Sequence, residues 1–435
     1  RVDVLALMVD AQPIHGSSLP ASALPSVVVA VTFDPFGLCE PLQIWLRRLT
    51  GLSAAVLWTP YGSVLESLRT PGSAWNENGQ RGINVLIARA CDLTRETSSA
   101  DPAAALIDAV RQSSAIRRGG VTIAILPPDG TAAPVVAVAV TSSTGGDDPA
   151  VAVASTGGDD LASMLSGCPG VVVVDEAAVG AAFSCLGGRK HVLNDFMGRV
   201  AHAPYTAAAA SALGAMLARE LARALAPPRK VICLDCDNTL WGGAVGECGA
   251  AGVELSAPFL AVQRFFVALQ RRGLLLCLVS RNREEDVRAV LRERAFELEL
   301  REEHVVAVVA NWEPKSANLA QLAHDLCLDI GSFVFVDDSP LECAEVRAHC
   351  SASGLMAVHL PSDPAHYPTF LEHCWVFDPP PGDAAGALTA EDTQRTLLYR
   401  QLAERKQLMH SMLDGGAGSA GGAGSAGSAG GAGGA

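Results

Sequence analysis

Aromatic residues are scarce in this chain, 5% of its 435 positions, although apolar residues make up 49%. A core built under that constraint must be aliphatic, packed mostly from Val, Leu and Ala. Long hydrophobic runs are missing as well. No stretch reaches the roughly 18 uninterrupted apolar residues that a spanning helix needs, so no membrane partner is expected. Basic charge is in deficit, with 32 Lys and Arg against 46 Asp and Glu for a net charge of −14. A nucleic-acid binder would show a basic stripe, and none is present. An anionic substrate would therefore need local cations and a metal to hold it against that field. The start, Arg1-Val2-Asp3-Val4, has neither a methionine nor a basic signal-peptide head, and reads as a cut from a longer polypeptide. The twelve cysteines lack a disulfide-framework rhythm. Cys233 and Cys236 have CxxC spacing, but Val231–Leu234 reads as a buried strand and Asp235 lies between them. Reduced thiols and a cytoplasmic location are expected.

What is present is an alternation of short apolar runs with helical stretches. Residues 1–24 form a leader ending in Pro- and Ser-rich sequence. Strand-like runs follow at Ser26–Thr32, Val85–Ala88, Gly120–Leu126 and Gly170–Val174, with helices at Glu40–Leu49 and Pro102–Ile116 between them. Continuously apolar strands alternating with helices imply a parallel sheet covered on both faces. Residues 25–206 are thus expected to be an α/β domain with a polar surface insertion at 141–160, where the hexapeptide STGGDD occurs twice (Ser143–Asp148 and Ser155–Asp160). An alanine-rich linker helix, 207–228, ends at Pro227-Pro228. A second domain, 229–378, repeats the alternation. After Pro379-Pro380-Pro381-Gly382, a helix over 388–413 opens on Thr389-Ala390-Glu391-Asp392, a capping-type start. The tail, 414–435, holds only Gly, Ala and Ser and reads as a flexible tether toward a neighbour.

Chemistry-bearing residues concentrate in the second domain, in four segments in a fixed order. Asp235-Cys236-Asp237-Asn238-Thr239 follows the strand Val231–Leu234. Two carboxylates two residues apart at a strand end can converge on one ligand. Asp235 would attack a phosphorus atom, while Asp237 passes a proton to the leaving oxygen and later takes one from water. Ser280 follows the strand Leu274–Val279, where its hydroxyl and the succeeding N–H groups can bind phosphoryl oxygens. Lys315, in Asn311-Trp312-Glu313-Pro314-Lys315, can neutralise both the phosphate and Asp235. Asp337-Asp338 follows Phe333–Val336 and supplies hard oxygen ligands for Mg²⁺. A DxDxT segment alone is weak, since acidic residues in solvated loops are common. The ordered set at strand ends is specific, because open α/β sheets place their sites there.

These segments, "VICLDCDNTLWGGAVGE" (231–247), "LVSRN" (278–282), "NWEPKSANL" (311–319) and "FVFVDDSPLEC" (333–343), resemble the FkbH-like proteins, capless haloacid dehalogenase enzymes of polyketide pathways. "WTPYGSVLESLRTPGSAWNENGQRGINVLIAR" (58–89), "NDFMGRVAHAPYT" (194–206) and "LTAEDTQRTLLYRQLAERK" (388–406) extend the resemblance over roughly residues 27 to 410. It implies an α/β fold: a haloacid dehalogenase-type Rossmann-like parallel sheet without a large cap, preceded by a second α/β domain of flavodoxin- or SGNH-like kind. It also implies a reaction. A glyceryl unit from 1,3-bisphosphoglycerate would pass, with dephosphorylation, to the phosphopantetheine thiol of an acyl carrier protein, with polyketide synthase domains as possible fused neighbours. Asp235, Asp237, Cys236 and Lys315 would be catalytic, Cys236 accepting the glyceryl group as a thiolate favoured by Mg²⁺ and Lys315. Thr239, Ser280, Arg281 and Asn282 would bind phosphate, and Asp235, Asp237, Asp337 and Asp338 would hold Mg²⁺. Arg199, His202 and Tyr205 would either reach over the site to the second phosphate or the glycerate hydroxyl, or make interdomain contacts. Arg281 stands where the family has Lys, Ser339 where it has Asn, and Cys248 where it has an acidic residue.

Three functional readings follow. One is the glyceryl transferase–phosphatase. The second is a plain Mg²⁺-dependent phosphatase using the same Asp235 chemistry on a small molecule or protein. The third is a non-catalytic docking module, against which the intact Asp235, Asp237, Lys315 and Asp337 speak. The intervals from Asp235 to Ser280 and from Ser280 to Lys315 are too short for a large lid domain. Water must then be excluded by the N-terminal domain or by a docked carrier. The N-terminal half offers no nucleophile elbow, since Ser17 and Ser18 lie in the leader and no GxSxG occurs.

Overall fold

Valine-rich pentapeptides such as Val27–Val31 have no polar face to turn to water, so they are stable only as interior strands of a sheet buried on both sides. The computed structural model describes residues 26–50, 56–78, 82–116, 121–125, 158–169, 171–173, 186, 189–225, 228–378, 394–402 and 405. Two five-stranded sheets organise them. The first comprises β1 (Val27–Val31), β2 (Val56–Trp58), β3 (Ile83–Ile87), β4 (Val121–Ile125) and β5 (Val171–Val173) in the order β2-β1-β3-β4-β5. The second comprises β6 (Val231–Leu234), β7 (Leu275–Ser280), β8 (Val305–Ala310), β9 (Phe333–Asp337) and β10 (Met356–His359) in the order β10-β9-β6-β7-β8. Every paired neighbour runs parallel. The first order is that of flavodoxin-like doubly wound sheets. The second is the Rossmann order 3-2-1-4-5 read from its other edge.

The expected strands and helices whose ends fall on described residues lie within a few residues of their predicted bounds, and of the helix expected over 388–413 only 394–402 and 405 are described. β2 and β10 were not singled out from sequence. β2 is only three residues long, with no fully buried position, so it carries little pattern to read.

The two sheets share one core. The helix α1 (Phe36–Thr50) lies against α3 (Ala207–Leu225), named after the intervening α2 (Pro102–Ile116). The alanines of α3 leave a flat surface, and Gly214 lets the helices touch: a Cβ there would sit 2.9 Å from the Leu42 nitrogen. A single cluster of buried side chains runs from Val27, Leu38 and Leu42 through Leu213, Leu217 and Leu221 to Ile232, Phe266 and Trp375. Arg219 of α3 then clamps the end of the second sheet's domain. Its Nε and Nη2 donate to the two oxygens of Asp378 at 2.6 Å each. Residues 394–402 return as a helix onto the second domain, where Gln270 Nε2 donates to Thr396 Oγ1 at 2.8 Å.

Among the described residues, no helix is long and apolar enough to cross a membrane. The leader, most of the insertion at 141–160 with its first hexapeptide, the helix start at 389–392 and the Gly/Ala/Ser tail lie outside the described residues.

Candidate active site

Strand register brings the two key carboxylates together. β6 and β9 are adjacent, and Leu234 is paired with Val336, so the next residues, Asp235 and Asp337, emerge side by side at the carboxyl ends. From β6 the chain crosses toward β7 on one side, and β9 lies on the other. This is the switch point at which open α/β sheets form a crevice. Lys315, the first residue of α7 (Lys315–Leu326), which follows α4 (Val245–Gly252), α5 (Ala257–Arg271) and α6 (Glu284–Glu293), reaches into it. Its Nζ donates to Asp235 Oδ1 at 2.6 Å and to Asp337 Oδ2 at 2.5 Å. All three side chains are buried.

Burial pushes the Asp235 carboxyl up, to about 7, with the Lys315 ammonium pulling it down and the Asp337 carboxylate adding to the rise. Burial alone would lower the Lys315 ammonium, but Asp235 and Asp337 overcome it and hold the group charged. Asp338 is also raised, by burial and then by Asp337. Three carboxylates around one lysine leave a surplus of negative charge, which is the condition for binding a cation.

The oxygens of Asp235, Asp337 and Asp338 lie within 4.8 Å of one another. Hard oxygen donors at that spacing suit Mg²⁺. The expected ligand set included Asp237 as well, whose side chain lies outside this group of three carboxylates. The Asp237 side chain is turned away and already engaged. Trp241 Nε1 and the Val245 N–H donate to its Oδ1 at 2.9 and 3.2 Å, and Asn282 Nδ2 donates to its Oδ2 at 2.9 Å. These three bonds fix the orientation of the Asp237 carboxylate, two residues after Asp235. Asn238, between Asp237 and Thr239, makes the turn in left-handed backbone (φ 57°), and the Tyr367 hydroxyl donates to its carbonyl at 2.9 Å.

The other predicted residues divide. Ser280, at the end of β7, is buried and accepts from Asn282 Nδ2 at 3.0 Å. Thr239 is buried and donates to Asp338 Oδ1 at 3.4 Å. Asn282 is therefore committed to Asp237 and Ser280, a positioning part rather than a free phosphate donor. Arg281 lies with its Nε 3.3 Å from Glu342 Oε1, at the start of α8 (Pro340–Cys350), and so forms a surface ion pair. Of the substituted positions, Ser339 keeps its backbone role, donating N–H to Asp337 Oδ1 at 2.7 Å. Cys248 is exposed and bonded to the Ala244 carbonyl.

Cys236, expected to be a reactive thiolate, is packed inside the domain. It is 0% exposed and belongs to the hydrophobic cluster that contains Leu234 and Trp241. Burial, followed by Asp235 and Asp237, pushes its thiol well above the usual range, outweighing the opposing Ser280 and Lys315. The groups that favour the thiolate, Ser280 and Lys315, are outweighed by burial and the two carboxylates. Arg199 and His202 are placed with the first sheet. Arg199 is exposed on the helix Asp195–Val200, and the His202 ring nitrogen Nδ1 meets the Tyr61 hydroxyl. Among the described residues, neither has a hydrogen bond or ion pair to Asp235, Asp237, Lys315, Asp337 or Asp338.

Trp241, Val245 and Tyr367 support the site but were not assigned to it from sequence. Trp241 stands in the flap with Gly242-Gly243, a cue that was visible. Tyr367 lies far along the chain in a segment with no motif.

No protein-family model and no curated protein matches this chain. Solved structures do. The N-terminal part of protein BF1531 from Bacteroides fragilis, containing a phosphatase domain and complexed with Mg, is 20% identical and superposes with a TM-score of 0.58 over 86% of this chain and 98% of that one. A haloacid dehalogenase family enzyme of Bacteroides thetaiotaomicron, in complex with magnesium and inorganic phosphate, is 12% identical over 31% of this chain and 95% of its own. Its TM-score of 0.22 carries no further weight. The long superposition shows that this chain shares the mixed α/β fold, with parallel sheets, of that phosphatase-domain protein.

Proposed function

We propose that the chain is a magnesium-dependent phosphoryl-transfer enzyme with Asp235 as nucleophile. The observation that carries this reading is the convergence of Asp235, Asp337 and Asp338 around Lys315 at the switch point of the second sheet. A carboxylate oxygen of Asp235 attacks phosphorus, and the bond to the leaving oxygen breaks as Asp237 supplies its proton. Asp237 then takes a proton from water, which hydrolyses the acyl phosphate on Asp235 and restores the free carboxylate. Lys315 and the Ser280 hydroxyl hold the phosphoryl oxygens. Mg²⁺, held by Asp235, Asp337 and Asp338, supplies charge neutralisation when bound. The neighbour from Bacteroides fragilis is complexed with Mg, in keeping with that assignment. Hydrolysis of p-nitrophenyl phosphate tests the reading. Activity should require Mg²⁺ and fall at least about 10³-fold in Asp235→Asn. Full activity in that variant would remove it.

We further propose the finer activity that the sequence resemblance suggests: transfer of the glyceryl unit of 1,3-bisphosphoglycerate to the phosphopantetheine thiol of an acyl carrier protein. Supporting it, two large apolar side chains stand exposed close in sequence to the site residues, one on a loop and one in the first turn of α8. Trp312, three residues before Lys315, is 72% exposed, and Leu341, three after Asp338, is 79% exposed. Exposed apolar anchors at the mouth of a lidless site suit a protein that delivers its substrate on an arm. Incubation with 1,3-bisphosphoglycerate, Mg²⁺ and a pantetheinylated carrier, read by mass spectrometry, should give a glyceryl adduct on the carrier. Phosphate release without an adduct would leave only the phosphatase.

A further inference from the structure

The carboxyl ends of β1, β2 and β3 gather a second set of polar side chains, remote in sequence from the phosphoryl-transfer residues. In a 2-1-3-4-5 sheet the crevice outside β1 and β3 is the switch point, the place where such sheets bind ligands. Asp92, 2% exposed, pairs with Arg95 at 3.1 Å and with Arg89 at 3.5 Å. The Arg89 guanidinium lies 5.9 Å from the centre of the Tyr205 ring, and its backbone N–H donates to Thr32 Oγ1 at 2.9 Å. Tyr61, two residues beyond Thr59, bonds the His202 ring. The His202 carbonyl accepts from the Asp34 N–H at 2.9 Å, in left-handed backbone (φ 54°). Residues from the ends of all three strands and from the segment 195–206 are thus linked in one network.

The network is incomplete in a specific way. Of seven buried side-chain polar atoms without a hydrogen-bond partner among the described residues, three are here: Thr59 Oγ1, Arg89 Nε and Asp92 Oδ2. Unmatched buried polar atoms are costly, so a cluster of them at a ligand-binding edge points to a group that completes them. The unmet chemistry is a carboxylate acceptor, a guanidinium donor and a hydroxyl able to do either. Ligand hydroxyls answer them, one donating to Asp92 Oδ2, another accepting from Arg89 Nε and a third meeting Thr59 Oγ1. Arg89 and Arg95 both pair with Asp92, and Glu96 stands near the same group, so the edge is not a cationic trap for phosphate. Tyr61 is 46% exposed, and Phe36, whose N–H is bonded to Asp34, is 86% exposed. Apolar faces beside a few fixed polar groups are the makeup of a small-molecule site. We propose that this edge binds a neutral polyhydroxylated ring, a sugar or sugar-like polyol, independently of the phosphoryl-transfer site.

Saturation-transfer NMR on the full chain, with D-ribose, D-glucose and glycerol as probes, tests this. A ring sugar should give a saturable signal, with affinity reduced at least ~10-fold in both Asp92→Asn and Thr59→Val, and unchanged in Asp235→Asn. If Asp92→Asn fails to fold by circular dichroism, the near-isosteric Thr59→Val decides alone. No saturable signal from any probe, or undiminished affinity in the folded edge variants, overturns the proposal. Loss of the signal in Asp235→Asn would assign the sugar to the phosphoryl-transfer site and overturn it equally.

Discussion

Lys315 is the only cation bonded to the paired carboxylates among the described residues, and both of its partners are buried. Removing it would leave two like charges facing each other in a low-dielectric crevice. Lys315→Met should therefore destabilise the metal-free protein by about 3–5 kcal/mol. Mg²⁺ should restore part of that loss, because it can supply the missing positive charge. Urea unfolding in EDTA and in Mg²⁺ measures both, and equal stability of variant and wild type in EDTA would contradict the account. Cys236 sets a second prediction. A fully buried thiol raised by burial and by two flanking carboxylates is expected to act as a packing residue. Cys236→Ala should then keep most phosphate release and cost about 1–2 kcal/mol of stability through lost packing. If a glyceryl adduct forms on wild type but not on this variant, the thiol is an acyl carrier after all. At this scale, Asp235, Ser280, Lys315 and Asp337 were legible because each stands at or just beyond a strand end. The orientation of Asp237 and the ion pair of Arg281 were not, since Trp241, Asn282 and Glu342 act through space and leave no spacing to read.

At the level of elements, α3 looks in sequence like a linker, yet its alanines and Gly214 pack it into the core against α1. Two effects compete at position 214. Replacing a mid-helix glycine by alanine improves helix propensity by about 1 kcal/mol. The new Cβ, however, would lie 2.9 Å from the Leu42 nitrogen and 3.0 Å from Pro41 Cβ, and α1 would have to move. Overpacking of that kind typically costs about 1–3 kcal/mol, so Gly214→Ala should be net destabilising. A raised urea midpoint would show that the helices part more easily than the contact implies. The start of α1 shows a limit of pattern reading. The sequence suggests a helix from Glu40, but the helix begins at Phe36 and carries Pro41 inside its second turn. As the sixth helical residue, Pro41 lies past the four N–H groups that have no partner within a helix, so it forgoes the bond that an N–H there would make to the Gly37 carbonyl.

Across the whole molecule, carboxyl groups dominate the response to pH. Burial raises Asp92, Glu96, Glu220 and Asp338, and lifts Asp235 to about 7. A carboxyl with a higher value folded than unfolded binds its proton more tightly in the fold. Its contribution is complete below the unfolded value, about 4, and is lost as pH rises through the folded one. His304, lowered by burial, works in the opposite sense but is outnumbered. The metal-free protein should thus lose stability between about pH 4 and about pH 7, with the net charge of −14 adding self-repulsion. Mg²⁺ needs ionised carboxylates, so its stabilising increment should grow over the same range. Unfolding at pH 5 and pH 8, with EDTA or Mg²⁺, checks this. Stability in EDTA that rises with pH, or a larger Mg²⁺ increment at pH 5, would refute it.

The sequence by itself determined the two parallel sheets, because Val- and Leu-rich runs with no polar face can only be interior strands. It also determined which strand ends carry acid, hydroxyl and cation. Tertiary structure decided which of those groups meet. Pairing Leu234 with Val336 sets Asp235 against Asp337, while Trp241, Val245 and Asn282 draw Asp237 aside. Packing of α3 joined two sheets into one core, and the network around Asp92 was closed by residues more than a hundred positions apart. Local periodicity fixes the face a residue presents. Direction and partner depend on contacts between segments distant in the chain, which no local pattern encodes.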